Sequence, residues 1–312
     1  MRIALVTPAR PGTRTGNRHT ALRWAAFLRA AGHRVSICTE WNGGAADAML
    51  ALHARRSHAS IKAFPGRLVV ALTGTDVYHD IHESEEARES LELADRLIVL
   101  QPEAAKELPA RLRLKVQVVV QSSSTRLRHR AVKGKFRICV IGHLRAVKDP
   151  LRTLRALAYL DDEKIEVVQL GELLEPALEP ETSDPRYRWL GSVPHGRALQ
   201  WLASSHALVI SSRMEGGANV VCEALRIGVP VLASRISGNA GLLGERYAGY
   251  FRVGDERDLA RLIEKSMKKP FYAKLKSQVA RLRSTVAPRN EARALLASVA
   301  FPSRSPGARR RP

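Results

Sequence analysis

The chain has 312 residues, 45% of them hydrophobic, which suffices for two cores of ordinary domain size. No stretch approaches the roughly 18 uninterrupted apolar residues of a membrane span, and the chain runs from its start into a strand without the layout of a secretory leader, so a cytoplasmic protein with no stable membrane insertion is expected. The net charge of +21 suits nucleic acid, an anionic membrane or anionic small molecules, but aromatics make up only 5% and zinc-finger spacing, an aromatic RNA-binding run and a basic region with heptads are all missing, so no specific nucleic-acid partner is expected. Cys38, Cys139 and Cys222 fall singly in apolar segments without C-x-x-C spacing, which argues for reduced, buried thiols over disulfides or zinc.

Strand and helix patterns alternate along the chain, the sequence form of parallel sheets covered by helices. Arg2 to Thr7 reads as a strand, Thr20 to Ala31 as an amphipathic helix stopped by Gly32, and Arg34 to Thr39 as the strand closing a first βαβ unit. Leu68 to Leu72, Arg96 to Leu100 and Val116 to Val120 continue this series. A second series follows with Phe136 to Ile141, Ile165 to Leu170, Ala207 to Ile210, Val229 to Ala233 and Tyr250 to Val253. The expected organisation is a Rossmann-like domain at 1–121, a polar linker at 122–135, a second Rossmann-like domain at 136–270, a helical segment at 271–301 packing back towards the first domain, and a basic tail at 302–312. Proline, glycine and like charge predict disorder in that tail. Ligands are expected between the halves, facing the carboxyl ends of both sheets.

The loops that leave these strands carry the chemistry. The first strand runs into Thr7-Pro8-Ala9-Arg10-Pro11-Gly12-Thr13-Arg14-Thr15-Gly16-Asn17-Arg18, which lacks the three-glycine dinucleotide fingerprint. A glycine loop with Arg10, Arg14 and Arg18 suits a small anion instead. Leu68 to Leu72 leads into Thr73-Gly74-Thr75-Asp76-Val77-Tyr78. Phe136 to Ile141 leads into Gly142-His143-Leu144-Arg145-Ala146-Val147-Lys148, where Arg145 and Lys148 place two cations at the opening of a helix that already favours an anion. After Ala207 to Ile210 comes Glu215-Gly216-Gly217-Ala218-Asn219, with a helix starting near Ala218 and Glu223 in its second turn. The bare glycines admit a ligand close to the backbone, and the first N–H groups of the helix suit a phosphate or diphosphate. The two carboxylates would flank that anion, Glu215 reaching a sugar and Glu223 a ribose diol. A lone helical glutamate is ordinarily just solvated, but Val220, Val221, Ala224 and Leu225 form the apolar stripe here and put Glu223 at its edge, near the end of the sheet. Ser237-Gly238-Asn239-Ala240-Gly241-Leu242-Leu243 is a further segment suited to cradle a sugar.

The spacing of the glutamates resembles the paired-glutamate signature of retaining glycosyltransferases of the GT-B fold, an α/β architecture of two Rossmann-like parallel-sheet domains facing a central cleft. The resemblance implies that Glu215 contacts the donor sugar, Glu223 the ribose, and Arg145 and Lys148 the donor diphosphate, which they stabilise as it leaves. It also implies that the backbone around Val193, in Leu190-Gly191-Ser192-Val193-Pro194-His195, meets the nucleobase, and that Gly142, Gly216, Gly217, Ala218 and Asn219 complete the donor site. Thr7 to Ala25, Leu72 to Tyr78 and Ser211 to Leu225, extended through Val229-Pro230-Val231-Leu232-Ala233-Ser234-Arg235, resemble the selenosugar synthases of bacterial selenoneine biosynthesis over nearly the whole chain except the tail. That family implies selenophosphate as acceptor and a UDP-N-acetylhexosamine as donor, with Gly12, Thr13, Arg14, Gly16, Asn17, Arg18, Thr73 and Asp76 on the acceptor side.

Related glycosyltransferases commonly carry a histidine where this chain has Thr73, a departure that favours an acceptor already anionic and in no need of a base. There is no convincing Asp-x-Asp site, so no metal and no other cofactor is expected. Two alternatives stand beside this reading. A hexosyltransferase acting on a membrane lipid predicts an exposed apolar face on the helix from Thr20, where Leu22, Trp24, Phe27 and Leu28 lie. A basic nucleic-acid-binding module predicts a sequence preference that survives physiological salt.

Overall fold

Short runs of apolar residues without alternation suit strands buried on both faces, and in this computed structural model they form two parallel sheets. The structure describes residues 1–13 and 15–300; Arg14 and the basic tail lie outside the described residues. The chain divides into two units, one of residues 1–121 together with the chain from Arg289 onward, the other of residues 122–288.

In the first unit the strands are β1 Arg2–Val6, β2 Arg34–Cys38, β3 Ala48–Leu52, β4 Arg67–Leu72, β5 Arg96–Val99 and β6 Val116–Val118. Among the described residues they form a six-stranded sheet in the order β2-β1-β3-β4-β5-β6. The sequence reading lacks β3. Its residues, Ala48-Met49-Leu50-Ala51-Leu52, have no β-branched or aromatic member and score as helix formers, yet all five are buried between β1 and β4. Burial on both faces has overridden local preference. The helix Gly16–Ala30 covers this sheet, with Trp24 and Leu28 wholly buried and Phe27 packed against the same core. Of the four large apolar residues on that helix, only Leu22 is classed as exposed, at 47%.

The second unit holds β7 Phe136–Ile141, β8 Ile165–Leu170, β9 Tyr187–Trp189, β10 Ala207–Ile210, β11 Val231–Ser234 and β12 Tyr250–Phe251. Their order is β12-β11-β10-β7-β8-β9, again parallel throughout. β11 begins after Pro230, which has no N–H to give to a ladder. Each unit is therefore a Rossmann-like parallel sheet with helices packed on it. The strand order reverses between β1 and β3 in one unit and between β7 and β10 in the other, and the loops leaving those strands are where ligands bind in such sheets.

The residues 122–135 carry no regular secondary structure and belong to the second unit. The C-terminal helices divide between the units. Lys269–Leu282 stays with the second, burying Leu275 and Val279, whereas Pro288–Val299 joins the first, where Leu295 and Val299 enter the core that holds Trp24. Glu291, 1% exposed, locks this helix in place by accepting from the Trp24 indole N–H at 2.7 Å and from Arg23 Nε at 2.9 Å. Among the described residues no helix is long and apolar enough to cross a membrane.

Glu291→Ala is expected to lower the unfolding free energy by about 2 kcal/mol, because it strands the buried Trp24 N–H and removes the partner of Arg23. Urea unfolding followed through tryptophan emission checks this, and a midpoint equal to the parent's would show that Glu291 does not fasten the helix.

Candidate active site

A carboxylate taken out of water needs a cation or hydrogen-bond donors, and the site is organised around how Glu215, 8% exposed, obtains them. Glu215 follows β10, and the neighbouring strand β7 leads to Lys148. The Lys148 ammonium pairs with Glu215 Oε1. The Ser212 hydroxyl donates to the same oxygen at 2.6 Å. Ser212 is itself held, its carbonyl accepting from Ser234 Oγ at 2.6 Å.

The two loops are also stitched through the backbone. Arg213 N–H donates to the Val147 carbonyl at 2.9 Å, and Ser211 Oγ donates to the Asp149 carbonyl at 2.8 Å. Lys148 ends a short 3-10 turn at Ala146–Lys148, and the chain leaves through Asp149 in the left-handed region, φ 46°. Asp149 belongs to a residue class that tolerates this conformation. Arg152, buried, fastens it by donating from Nε to Asp149 Oδ2 at 2.9 Å while its other arm pairs with Glu256. Arg145, at the start of the same turn, is exposed. The arrangement presents exposed Arg145 on the same turn as Lys148, which pairs with Glu215.

Two close approaches fix the floor of the site. A Cβ on Gly171 would stand 1.9 Å from the Gly142 carbonyl oxygen, and one on Gly238 would stand 2.0 Å from the Glu215 carbonyl oxygen. The segment from Ser237, expected to cradle a sugar, is a helix Ser237–Leu243 that supports Glu215 from behind. Asn239 within it is wholly buried and donates to the Ser234 carbonyl at 2.9 Å, a structural role.

Gly216, Gly217 and Ala218 lead into the helix Asn219–Ile227, whose N-cap Ala218 supplies no side-chain cap and whose first turn carries no acidic residue. The partial positive charge at the amino-terminal end of this helix favours an anion beside it. Glu223, in the second turn with its side chain 15% exposed, accepts from or pairs with His195 Nε2 at 2.7 Å. His195 opens the helix that follows half-buried Val193. Sequence reasoning placed Glu215, Lys148 and Glu223 in the site but missed Ser212 and the His195 partner, because nothing in linear spacing marks a hydroxyl or an imidazole that arrives from another element.

In the first unit, Gly12, φ 83°, and Thr13 form an exposed turn in which Thr13 Oγ1 donates to the Arg10 carbonyl at 2.8 Å. Thr15 caps the helix that starts at Gly16, and Asn17 and Arg18 sit half-buried in its first turn. Arg14, an expected acceptor contact, lies outside the described residues. Thr73 is half-buried at the end of β4. Asp76 departs from its expected place among acceptor contacts. It is wholly buried, and its carboxylate accepts from the backbone N–H groups of Thr73 at 2.9 Å, Gly74 at 2.7 Å and Ala54 at 3.1 Å, so it shapes the loop and has no exposed oxygen to offer a ligand. Among the described residues no three His, Cys, Asp or Glu side chains converge as a metal site needs.

Two parallel-sheet units with charged loops at their strand-order reversals define a class, the GT-B transferases. The family model of glycosyl transferases group 1 matches residues 122–282, more than half of the chain, and the chain belongs to that family; the protein is a glycosyltransferase. It is 25% identical over 275 residues to a Xenopus tropicalis protein, glycosyltransferase 1 domain-containing protein 1, covering 75% of this chain and 79% of the relative. The fold is similar to Anabaena HepE, solved in complex with UDP and glucose, with a TM-score of 0.71 at 15% identity over 96% of this chain and 98% of that one. It is also similar to the sucrose-phosphate synthase of Thermosynechococcus elongatus, with a TM-score of 0.73 at 16% identity over 95% and 96% of the two chains.

Gly238→Ala is expected to displace the Glu215 backbone, lowering stability by about 1–3 kcal/mol and reducing glycosyl transfer at least tenfold. Thermal unfolding and turnover measured on one preparation check it. Parent-like values in both would mean that the Glu215 loop can shift without consequence.

Proposed function

We propose that the protein is a selenosugar synthase, transferring the hexosamine of a UDP-N-acetylhexosamine to selenophosphate with release of UDP, as in selenoneine biosynthesis. The observation that carries this reading is the Lys148–Glu215–Ser212 cluster at the strand-order reversal of the second unit, joined by exposed Arg145 and the amino-terminal end of the helix Asn219–Ile227. HepE, solved with UDP and glucose, supports a UDP-sugar at such a site.

In this reading the diphosphate lies against the first N–H groups of the helix Asn219–Ile227, with Arg145 and Lys148 on its oxygens and Gly142, Gly216 and Gly217 leaving room for it. Glu223 takes the ribose hydroxyls in place of His195, and Val193 lies beside the base. Glu215, held by Lys148 and Ser212, orients the sugar. The bond from the anomeric carbon to the UDP oxygen breaks, its electron pair leaving on the diphosphate, and a selenium lone pair forms the new bond to that carbon. Lys148 and Arg145 then stabilise the charge that grows on the leaving group. The immediate product carries the phosphoryl group on selenium. No proton has to be removed from the nucleophile, which agrees with Thr73 standing where related enzymes carry a histidine.

On the acceptor side, Gly12, Thr13, Arg14, Gly16, Asn17 and Arg18 would collect the selenophosphate, helped by the positive end of the helix Gly16–Ala30, whose first turn has no acidic residue. A lipid acceptor is the less favoured reading, since Trp24 and Leu28 lie in the core and cannot meet a bilayer. Incubation with UDP-N-acetylglucosamine and either selenophosphate or a polyprenyl phosphate, with UDP release as the signal, separates the two. Faster release with the lipid phosphate would sink the selenosugar reading.

Glu223→Ala should weaken UDP binding by about 1.5–3 kcal/mol through loss of charge-assisted hydrogen bonds to the ribose. Calorimetry that returned the parent's affinity would remove Glu223 from the site. Arg145→Ala and Lys148→Ala should depress turnover far more than they raise the Michaelis constant for the donor, and a change confined to the Michaelis constant would contradict their role at the leaving group.

A further inference from the structure

Sequence reasoning passed over His53, and the structure places it beside the loop that holds Thr73. It directly follows β3, is 3% exposed, and adopts a left-handed backbone, φ 78°, which is uncommon away from glycine. Its backbone N–H donates to the Ala71 carbonyl at 2.8 Å, and the next residue, Ala54, donates its N–H to Asp76, so the ring is fixed against the start of the Thr73–Asp76 loop.

The hydrogen bonds of the ring have a direction. The Arg56 backbone N–H lies 3.3 Å from His53 Nδ1 and can only donate, so Nδ1 is the acceptor and the proton of the neutral ring sits on Nε2. From there it points to Thr75 Oγ1 at 3.2 Å. Asp80 Oδ2, at 3.7 Å from Nε2 and in ion-pair range of Arg55, is too far to take that proton. Burial is the largest influence on the ring and pushes its pKa below the ordinary histidine value, with Arg56 and Arg55 acting the same way and Asp76 and Asp80 opposing. Protonation would also turn the Arg56 N–H and a new Nδ1 proton against each other.

Thr75 is exposed while His53 is not. With its oxygen accepting from His53, the Thr75 hydroxyl has its own proton to present outward, and a chain of donors from Arg56 N–H through His53 to Thr75 is polarised in one direction. We propose that Thr75 is a specificity-determining contact for the acceptor, donating its hydroxyl proton to an anionic oxygen of a phosphate-bearing nucleophile, and that His53 is the positioning residue that holds the hydroxyl in the donating sense. This rests on the anionic-acceptor reading given above and adds the atoms that recognise it.

The test uses the full chain, with Thr75→Val, Thr75→Ser and His53→Gln made singly and His53→Gln also combined with Thr75→Val. Three quantities are read: UDP affinity by calorimetry, the selenophosphate Michaelis constant at saturating UDP-N-acetylglucosamine, and competitive inhibition by inorganic phosphate. Thr75→Val should raise the Michaelis constant and the phosphate inhibition constant about tenfold with UDP affinity unchanged, and Thr75→Ser should restore both to within about twofold of the parent. His53→Gln should cost several-fold alone and nothing further in the Thr75→Val background. Parent-like acceptor constants in Thr75→Val, or an equal effect of His53→Gln in both backgrounds, would overturn the inference while leaving the transferase reading intact. A parent that releases no UDP with selenophosphate and is not inhibited by phosphate would overturn the anionic-acceptor reading and this inference with it.

Discussion

A buried carboxylate that must be matched by charge, Glu215, is the constraint on which the second unit depends. Left without Lys148 it would be an uncompensated charge beneath two loops, a state that costs several kcal/mol. The pair can form only because β7 and β10 are neighbours in the sheet although β8 and β9 lie between them in sequence. The strand-order reversal thus brings together two loops separated by more than sixty residues, and the ion pair, Ser211 and the Arg213 N–H close the seam between them. Asp149 in its left-handed conformation and buried Arg152 are secondary to this, since they determine where the turn releases Lys148.

The first unit solves the same problem differently. One of its buried carboxylates, Asp76, is matched by three backbone N–H groups, which come from the ends of β3 and β4. A carboxylate satisfied by amides is a fastener. One satisfied by a lysine that is itself partly exposed is the kind of group the proposed donor site uses. The family match to residues 122–282 falls on the unit with the lysine-bound carboxylate.

What could be read from the sequence was whatever depends on short spacing. The glutamate pair, the Arg145 and Lys148 loop and most of the strands and helices declare themselves locally, and the structure puts Glu215 after β10, Glu223 in the helix Asn219–Ile227, and Arg145 and Lys148 on a 3-10 turn that precedes the helix Arg152–Ala156. What could not be read depends on partners distant along the chain or on burial that overrides preference. β3 was missed because Ala48, Met49, Leu50 and Leu52 favour a helix when taken alone, and with β3 went His53 at its end. Ser212 looked like an ordinary loop hydroxyl until Glu215 turned back onto it. Gly238 looked like a cradle for sugar, whereas the structure makes it the surface on which the Glu215 backbone rests. The two C-terminal helices read as one segment because both are basic and amphipathic, and the burial of Glu291, Leu295 and Val299 against the core that holds Trp24 reveals that the second belongs to the other unit.

Thr73 was the one residue whose identity, against the related enzymes, pointed to the acceptor by what it lacks. The structure sharpens the meaning of that lack. The imidazole closest to the Thr73–Asp76 loop through hydrogen bonding, His53, has its lone-pair nitrogen turned inward to a backbone N–H and its proton turned towards Thr75. A ring so fixed can donate but cannot accept, and so cannot serve as a general base for a nucleophile approaching from the exposed side of Thr75. A hydroxyl acceptor would need its proton removed as the glycosidic bond forms, whereas a selenophosphate or another preformed anion would not. The direction of the hydrogen bonds around His53 is compatible with the anionic acceptor proposed above and is independent of the residue identity at Thr73, since one is a residue on β4's loop and the other a ring orientation at the end of β3.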